Sequence, residues 1–184
     1  MKKRVIFIGV YILTFSLLAN LQAIAQPSAL QDVKLQMIKD WTRAKTYTIE
    51  YLNAMPKERY SYKPVDSISS FAGQMIHLAV VDLFLMYMAT DQKPPDFTWY
   101  DFSNAGAKTK DSVIYYVSAS YDYCINAVKA FDISKWSEKK EVSKQVKTKF
   151  ELMTEAFEHQ THHRGQTTIY IRLQGIKPPE ANLF

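Results

Sequence analysis

The chain has 184 residues, a single cysteine, five glycines and a formal charge of +5. One cysteine excludes an internal disulfide, so an exported form has to be held by its core or by a metal. Three of the positive charges, Lys2, Lys3 and Arg4, stand at the N-terminus. The remainder has no dense basic stripe, which argues against a nucleic-acid partner, and no Gly-rich run that could cradle a phosphate.

Behind those three charges, Val5 to Leu18 is mostly apolar and uncharged. At about 14 residues it is shorter than the ~20 needed to span a bilayer. Ala23 and Ala25 then put small residues at the two positions a signal peptidase reads. This is the three-part layout of a secretory signal. The expected organisation is a signal peptide over 1–25, cleaved after Ala25, and one domain over 26–184. Periplasmic or secreted placement follows, with no stable membrane anchor after cleavage. No cysteine near the cleavage point offers a lipid attachment site.

Helical periodicity predicts a first helix over about Leu30 to Met55, stopped by Pro56, with Leu35, Ile38, Trp41, Tyr51 and Leu52 among its apolar positions. Tyr60, Tyr62 and Pro64 make the next connection an ordered aromatic loop. A second helix is expected over about Ser70 to Thr90, with an inward stripe of His77, Val81, Phe84 and Met88. The connection from Asp91 to Thr109 carries Phe97, Trp99, Tyr100 and Phe102, and is expected to pack over one end of the fold. A third helix follows over about Lys110 to Ala130. In it Cys124 shares a face with Val117, Tyr121 and Val128, as a buried small hydrophobe would. Phe131 to Val146 has room for short extended structure. Lys135 to Lys149, interrupted by Glu138 and Glu141, reads as solvated. The fourth helix runs over about Lys147 to Gln174, ended by Gly175 and Pro178-Pro179. Four rods of roughly 30 to 40 Å predict an all-α four-helix bundle with long, partly ordered connections.

Three of the four histidines fall in His159-Gln160-Thr161-His162-His163. Leu152, Ala156 and Tyr170 mark the inward line of the fourth helix. At ~100° per residue, His159 and His163 each lie within about 20° of that line, and His162 about 80° to one side. Two imidazoles one turn apart can hold one ion, and His77 offers a third. Three neutral imidazoles with open positions suit zinc or nickel, with copper and iron compatible. The same residues also read as core histidines satisfied by hydrogen bonds. His162 is not expected to be a ligand. Gln166 and Tyr170, one and two turns beyond His163, are candidates for orienting a bound molecule, or for ordinary packing with a polar tip. Glu155 and Glu158 read as solvated, and no inward aspartate, glutamate or cysteine offers a fourth ligand.

Three stretches resemble the DinB/YfiT-like family. Ala54-Met55-Pro56-Lys57-Glu58-Arg59-Tyr60-Ser61-Tyr62-Lys63-Pro64 is similar to its first interhelical loop. Ser70-Phe71-Ala72-Gly73-Gln74-Met75-Ile76-His77-Leu78-Ala79 resembles its second-helix motif. His159-Gln160-Thr161-His162-His163-Arg164-Gly165-Gln166, continuing through Tyr170, Arg172, Gly175 and Pro178-Pro179, resembles its last-helix signature. The resemblance implies an up-down-down-up or similarly connected bundle, often a homodimer. It also implies a divalent metal held by the histidines that match His77, His159 and His163. Known relatives include thiol-dependent S-transferases and a thiol-dependent isomerase; the family does not imply DNA binding. The export signal departs from those relatives, whose thiol cosubstrates are cytoplasmic. The expected function is a metal-dependent hydrolase or thiol S-transferase acting on an unidentified small molecule. The alternative is a non-catalytic bundle that binds a metal or small ligand.

Overall fold

The structure, a computed structural model, describes residues 29–96 and 108–182. The expected leader and the aromatic segment from Phe97 to Phe102 lie outside the described residues. The chain divides into two compact units, Met1–Gln36 and Met37–Phe184. Of the first, only residues 29–36 are described, and they are helical.

Among the described residues four α-helices carry the fold: α1 over residues 29–54, α2 over Phe71–Thr90, α3 over Lys110–Ala130 and α4 over Lys149–Arg172. Side-chain hydroxyls cap three of them. Ser70 accepts from the Gly73 amide at the start of α2, and Thr109 from that of Ser112 at the start of α3. Thr148 and Glu151 form a reciprocal capping box on α4, worth about 1 kcal/mol through the Thr148 side chain. At the far end of α4, Gly175 takes φ +72°. The Ile176 amide then donates to Ile171 O, and that of Gly175 to Arg172 O. This closure needs a left-handed residue, which glycine supplies without strain.

The helix directions follow from cross-helix contacts. Trp41 meets Phe157 and Tyr51 meets Thr168, so α1 and α4 run parallel. Lys110 Nζ donates to Asn53 O and Met55 O and Lys45 pairs with Asp122, so α1 and α3 are antiparallel. Gln74 meets His163 while Asp82 meets His159, so α2 and α4 are antiparallel. The order is up, down, down, up, with α2 packed on both α3 and α4. The core includes Leu52, Met75, Leu78, Met86 and Leu152, all fully buried. Cys124 is buried with Val117, Tyr121 and Val128, as expected.

Between α3 and α4 stands a hairpin, β1 (Lys139–Val142) paired antiparallel with β2 (Gln145–Thr148). Ser143 and Lys144 turn it with φ of 51° and 67°, the signs of a type I′ turn. The segment is largely exposed, but Lys149 corrects the solvated reading. It is buried, salt-bridged to Glu138 at 2.8 Å and to Asp91 at 3.2 Å. Asp91, at the end of α2, also pairs with Lys140. One carboxylate thus ties the hairpin and the start of α4 to the end of α2.

Two expected faces are corrected. On α2 the stripe Val81–Phe84–Met88 is not the inward one: Phe84 and His77 are exposed, and Val81 and Met88 half-buried. The buried side carries Phe71, Met75, Ala79, Asp82 and Met86. This helix is apolar on nearly every face, so periodicity does not single out one of them. On α4 the inward line is centred on Ala156, Gln160, Arg164 and Thr167, rotated by polar residues that close a buried network. Tyr121 donates to Gln160 Oε1 at 2.8 Å. Arg164 Nη1 donates to the same oxygen at 2.6 Å and to Thr48 Oγ1 at 3.3 Å. The Arg164 guanidinium also lies 4.8 Å from the Tyr47 ring centroid. Buried polar groups are tolerated when such a network satisfies them.

Candidate metal centre

His77, from α2, reaches two half-buried imidazoles of α4. One candidate ligand nitrogen from each of His77, His159 and His163 lies within 4.8 Å of the others. Ring centroids stand 5.2 Å apart for His77 and His159, 4.7 Å for His77 and His163, and 4.4 Å for His159 and His163. His159 and His163 sit on the flank of α4 rather than astride its buried line. That flank faces the exposed edge of α2, and for this reason an outward His77 can meet them.

The Nδ1 atoms of the two α4 imidazoles are engaged from outside the cluster. His163 Nδ1 hydrogen-bonds Gln74 Oε1 at 2.7 Å. Gln74 Nε2 in turn donates to the Tyr170 hydroxyl at 3.3 Å, and that hydroxyl donates to Ser69 O at 2.7 Å. His159 Nδ1 stands 3.2 Å from Asp82 Oδ1. Both α4 imidazoles therefore keep Nε2 for a ligand. Three nitrogen donors, two of them hydrogen-bonded from behind, on a partly exposed face could hold a metal ion.

Asp82 corrects the expectation of no inward carboxylate. It is 1% exposed and touches a cluster histidine. The signal was available, since Asp82 is the one charged residue of an otherwise uncharged α2. Gln74, one turn before His77, was also missed. Of the two expected orienting residues, Tyr170 joins the cluster through Gln74. Gln166 instead donates from Nε2 to His162 Nε2 at 2.8 Å. His162 is exposed and lies outside the three-histidine group. Glu155 pairs with Lys147 at 2.5 Å, and Glu158 is exposed.

Burial, followed by repulsion from neighbouring imidazoles, holds His159 and His163 down to about 4 from an ordinary 6.5. Burial pushes the Asp82 carboxyl well above its usual range, against the pull of Arg164. The unfolded chain takes up protons near pH 6.5 that the native histidines refuse. Their contribution to stability is present above that pH and is lost as pH falls toward 4; Asp82, with a raised native value, works in the opposite direction. In metal-free protein, two imidazoles should remain neutral at pH 5.5, with NMR titration midpoints near 4. Midpoints near 6.5 for both would contradict this packing.

The DinB family model matches residues 28–184. No curated protein matches the chain. Among solved structures, a DinB-like protein of Bacillus cereus is similar at TM-score 0.68 and 16% identity, covering 79% of this chain and 95% of that one. A DinB-like protein of Bacillus subtilis, YjoA, is similar at TM-score 0.62 and 17% identity, covering 81% and 96%. At these identities the likeness establishes the fold alone.

Proposed function

The chain belongs to the DinB family, and we propose that it is an exported metal-dependent enzyme acting on a small molecule, with His77, His159 and His163 holding one divalent ion. The observation that carries this reading is the convergence of three imidazole nitrogens within 4.8 Å on a partly exposed face. Zinc or nickel suits such a donor set best. A bound ion with open positions lowers the pKa of a coordinated water or thiol and yields a nucleophile at neutral pH.

The protein's own residues orient and shape the site. Gln74 and Asp82 fix the α4 rings, and the Tyr170–Ser69 hydrogen bond holds Gln74 in turn. The described acidic residues near α4 are engaged or solvated: Asp82 on His159, Glu155 on Lys147, and Glu158 in water. None stands ready as a general base, so the nucleophile has to be activated by the ion. Outside the cytoplasm water is the available nucleophile. Hydrolysis is accordingly the favoured reaction, ahead of transfer to a low-molecular-weight thiol.

The test is metal content of protein purified without a chelator or an affinity tag, beside turnover of small ester and amide substrates. About one ion per chain is expected, by the one-site geometry, with turnover that a chelator abolishes. His162→Ala should retain the ion and His163→Ala should lose it. Equal loss in both variants would mean that the wrong pair has been chosen. A metal-free parent that also fails to take up added zinc would overturn the reading.

A further inference from the structure

We propose that Asp82 is a positioning residue of the metal centre: its Oδ1 accepts the Nδ1–H of His159 and locks that ring with Nε2 toward the ion. The inference rests on the metal reading above, and deepens it by naming what tunes the ligands.

Asp82 is poorly explained by stability. It is 1% exposed in the core-facing side of α2. Its Oδ2 is buried with no hydrogen-bond partner. Its described side-chain partner is His159, through Oδ1 at 3.2 Å; the basic side chain buried nearby, Arg164, is committed to Gln160 and Thr48. A half-satisfied buried carboxylate costs folding free energy, and an apolar residue of similar volume would pack better there. The group it does touch is a candidate ligand. A carboxylate behind a ligating imidazole fixes the tautomer and raises the ring's basicity.

The arrangement is asymmetric. His163 is backed by a neutral amide, Gln74 Oε1, at 2.7 Å, and His159 by the carboxylate. Among the described residues, Asp82 is the carboxyl group that touches a candidate ligand. Its loss should therefore act through His159 on metal affinity, and should not cost the apo fold.

The experiment compares the full chain with Asp82→Asn and Asp82→Leu. Zinc affinity is read by competition with a chromophoric chelator, and apo stability by urea unfolding. Long-range proton–nitrogen NMR reads the His159 tautomer in metal-free protein. Asparagine keeps a weaker acceptor, an amide oxygen, and leucine removes it. Zinc affinity should fall about tenfold in the first and about 100-fold in the second, the range expected for outer-shell partners. The apo unfolding midpoint should stay level or rise in both. His159 should be the Nδ1–H tautomer in the parent and a mixture in the leucine variant. Unchanged zinc affinity in the leucine variant would overturn the proposal, and so would an apo midpoint that falls in step with affinity in the near-isosteric asparagine variant. If the parent binds no zinc, the metal reading itself fails; the tautomer measurement still reports separately whether Asp82 holds His159.

Discussion

Replacing His77 with alanine should weaken metal binding by more than about 100-fold, beyond the usual cost of losing an outer-shell partner, while leaving a folded four-helix protein. His77 is exposed, so its removal opens no cavity, and alanine is the better helix former. A surface substitution of this kind changes stability by no more than about 0.5 kcal/mol. The effect on the ion is of another order. His77 is the one member of the cluster that comes from α2. Without it, two imidazoles from consecutive turns of one helix remain, and solvent has to supply every other donor. Circular dichroism and metal content on the same sample test both halves. Outright unfolding would make the site structural and remove the main support for an enzyme. Undiminished metal affinity would remove His77 from the ligand set.

The helices were readable because their stops are chemical. Pro56, and Gly175 with Pro178, each end a helix for a local reason, and the observed helix ends fall within two residues of those expected. The hairpin was not readable as such. Its turn residues, Ser143 and Lys144, adopt positive φ without the Asn-Gly chemistry that normally announces a type I′ turn. The faces of α2 were misassigned because twenty mostly apolar residues give no contrast between inside and outside. On α4, Gln160, Arg164 and Thr167 are buried against the usual preference of polar residues for the surface. Gln160 and Arg164 find their partners on α3 and α1, which no local pattern encodes, and Thr167 donates to Arg164 O in its own helix. The three histidines came together all the same, because the i, i+4 spacing on α4 is independent of which neighbouring face is innermost. Asp82 stands out in the sequence as the one charged residue of α2, but which ring it meets, like the partner of Gln74, is decided only when α2 lies antiparallel to α4.

Trp41→Ala should destabilise the fold by about 3–5 kcal/mol, the range for truncating a large buried aromatic. That is about a fifth or more of a typical domain's ~5–15 kcal/mol. Trp41 is fully buried. Its ring meets Tyr121 of α3 edge-on at 5.7 Å and Phe157 of α4 at 5.4 Å, so one side chain joins three helices. The polar ties of α1 to these helices cannot compensate. The Lys45–Asp122 pair is partly exposed and belongs to a class worth ~0–1 kcal/mol. The hydrogen bonds from Thr48 and Tyr51 are each worth about 1 kcal/mol net. Trp41→Phe separates ring packing from the indole N–H, because Trp41 Nε1 is buried without a partner. Phenylalanine keeps an aromatic ring between the two neighbours and loses no hydrogen bond, so its cost should be well below that of alanine. Urea unfolding at constant m-value measures both. An alanine cost under about 1 kcal/mol, the centre of the range for ordinary point mutations, would mean that α1 is not anchored by this ring. A phenylalanine cost equal to that of alanine would mean that the indole N–H, and not the packing, is what the site requires.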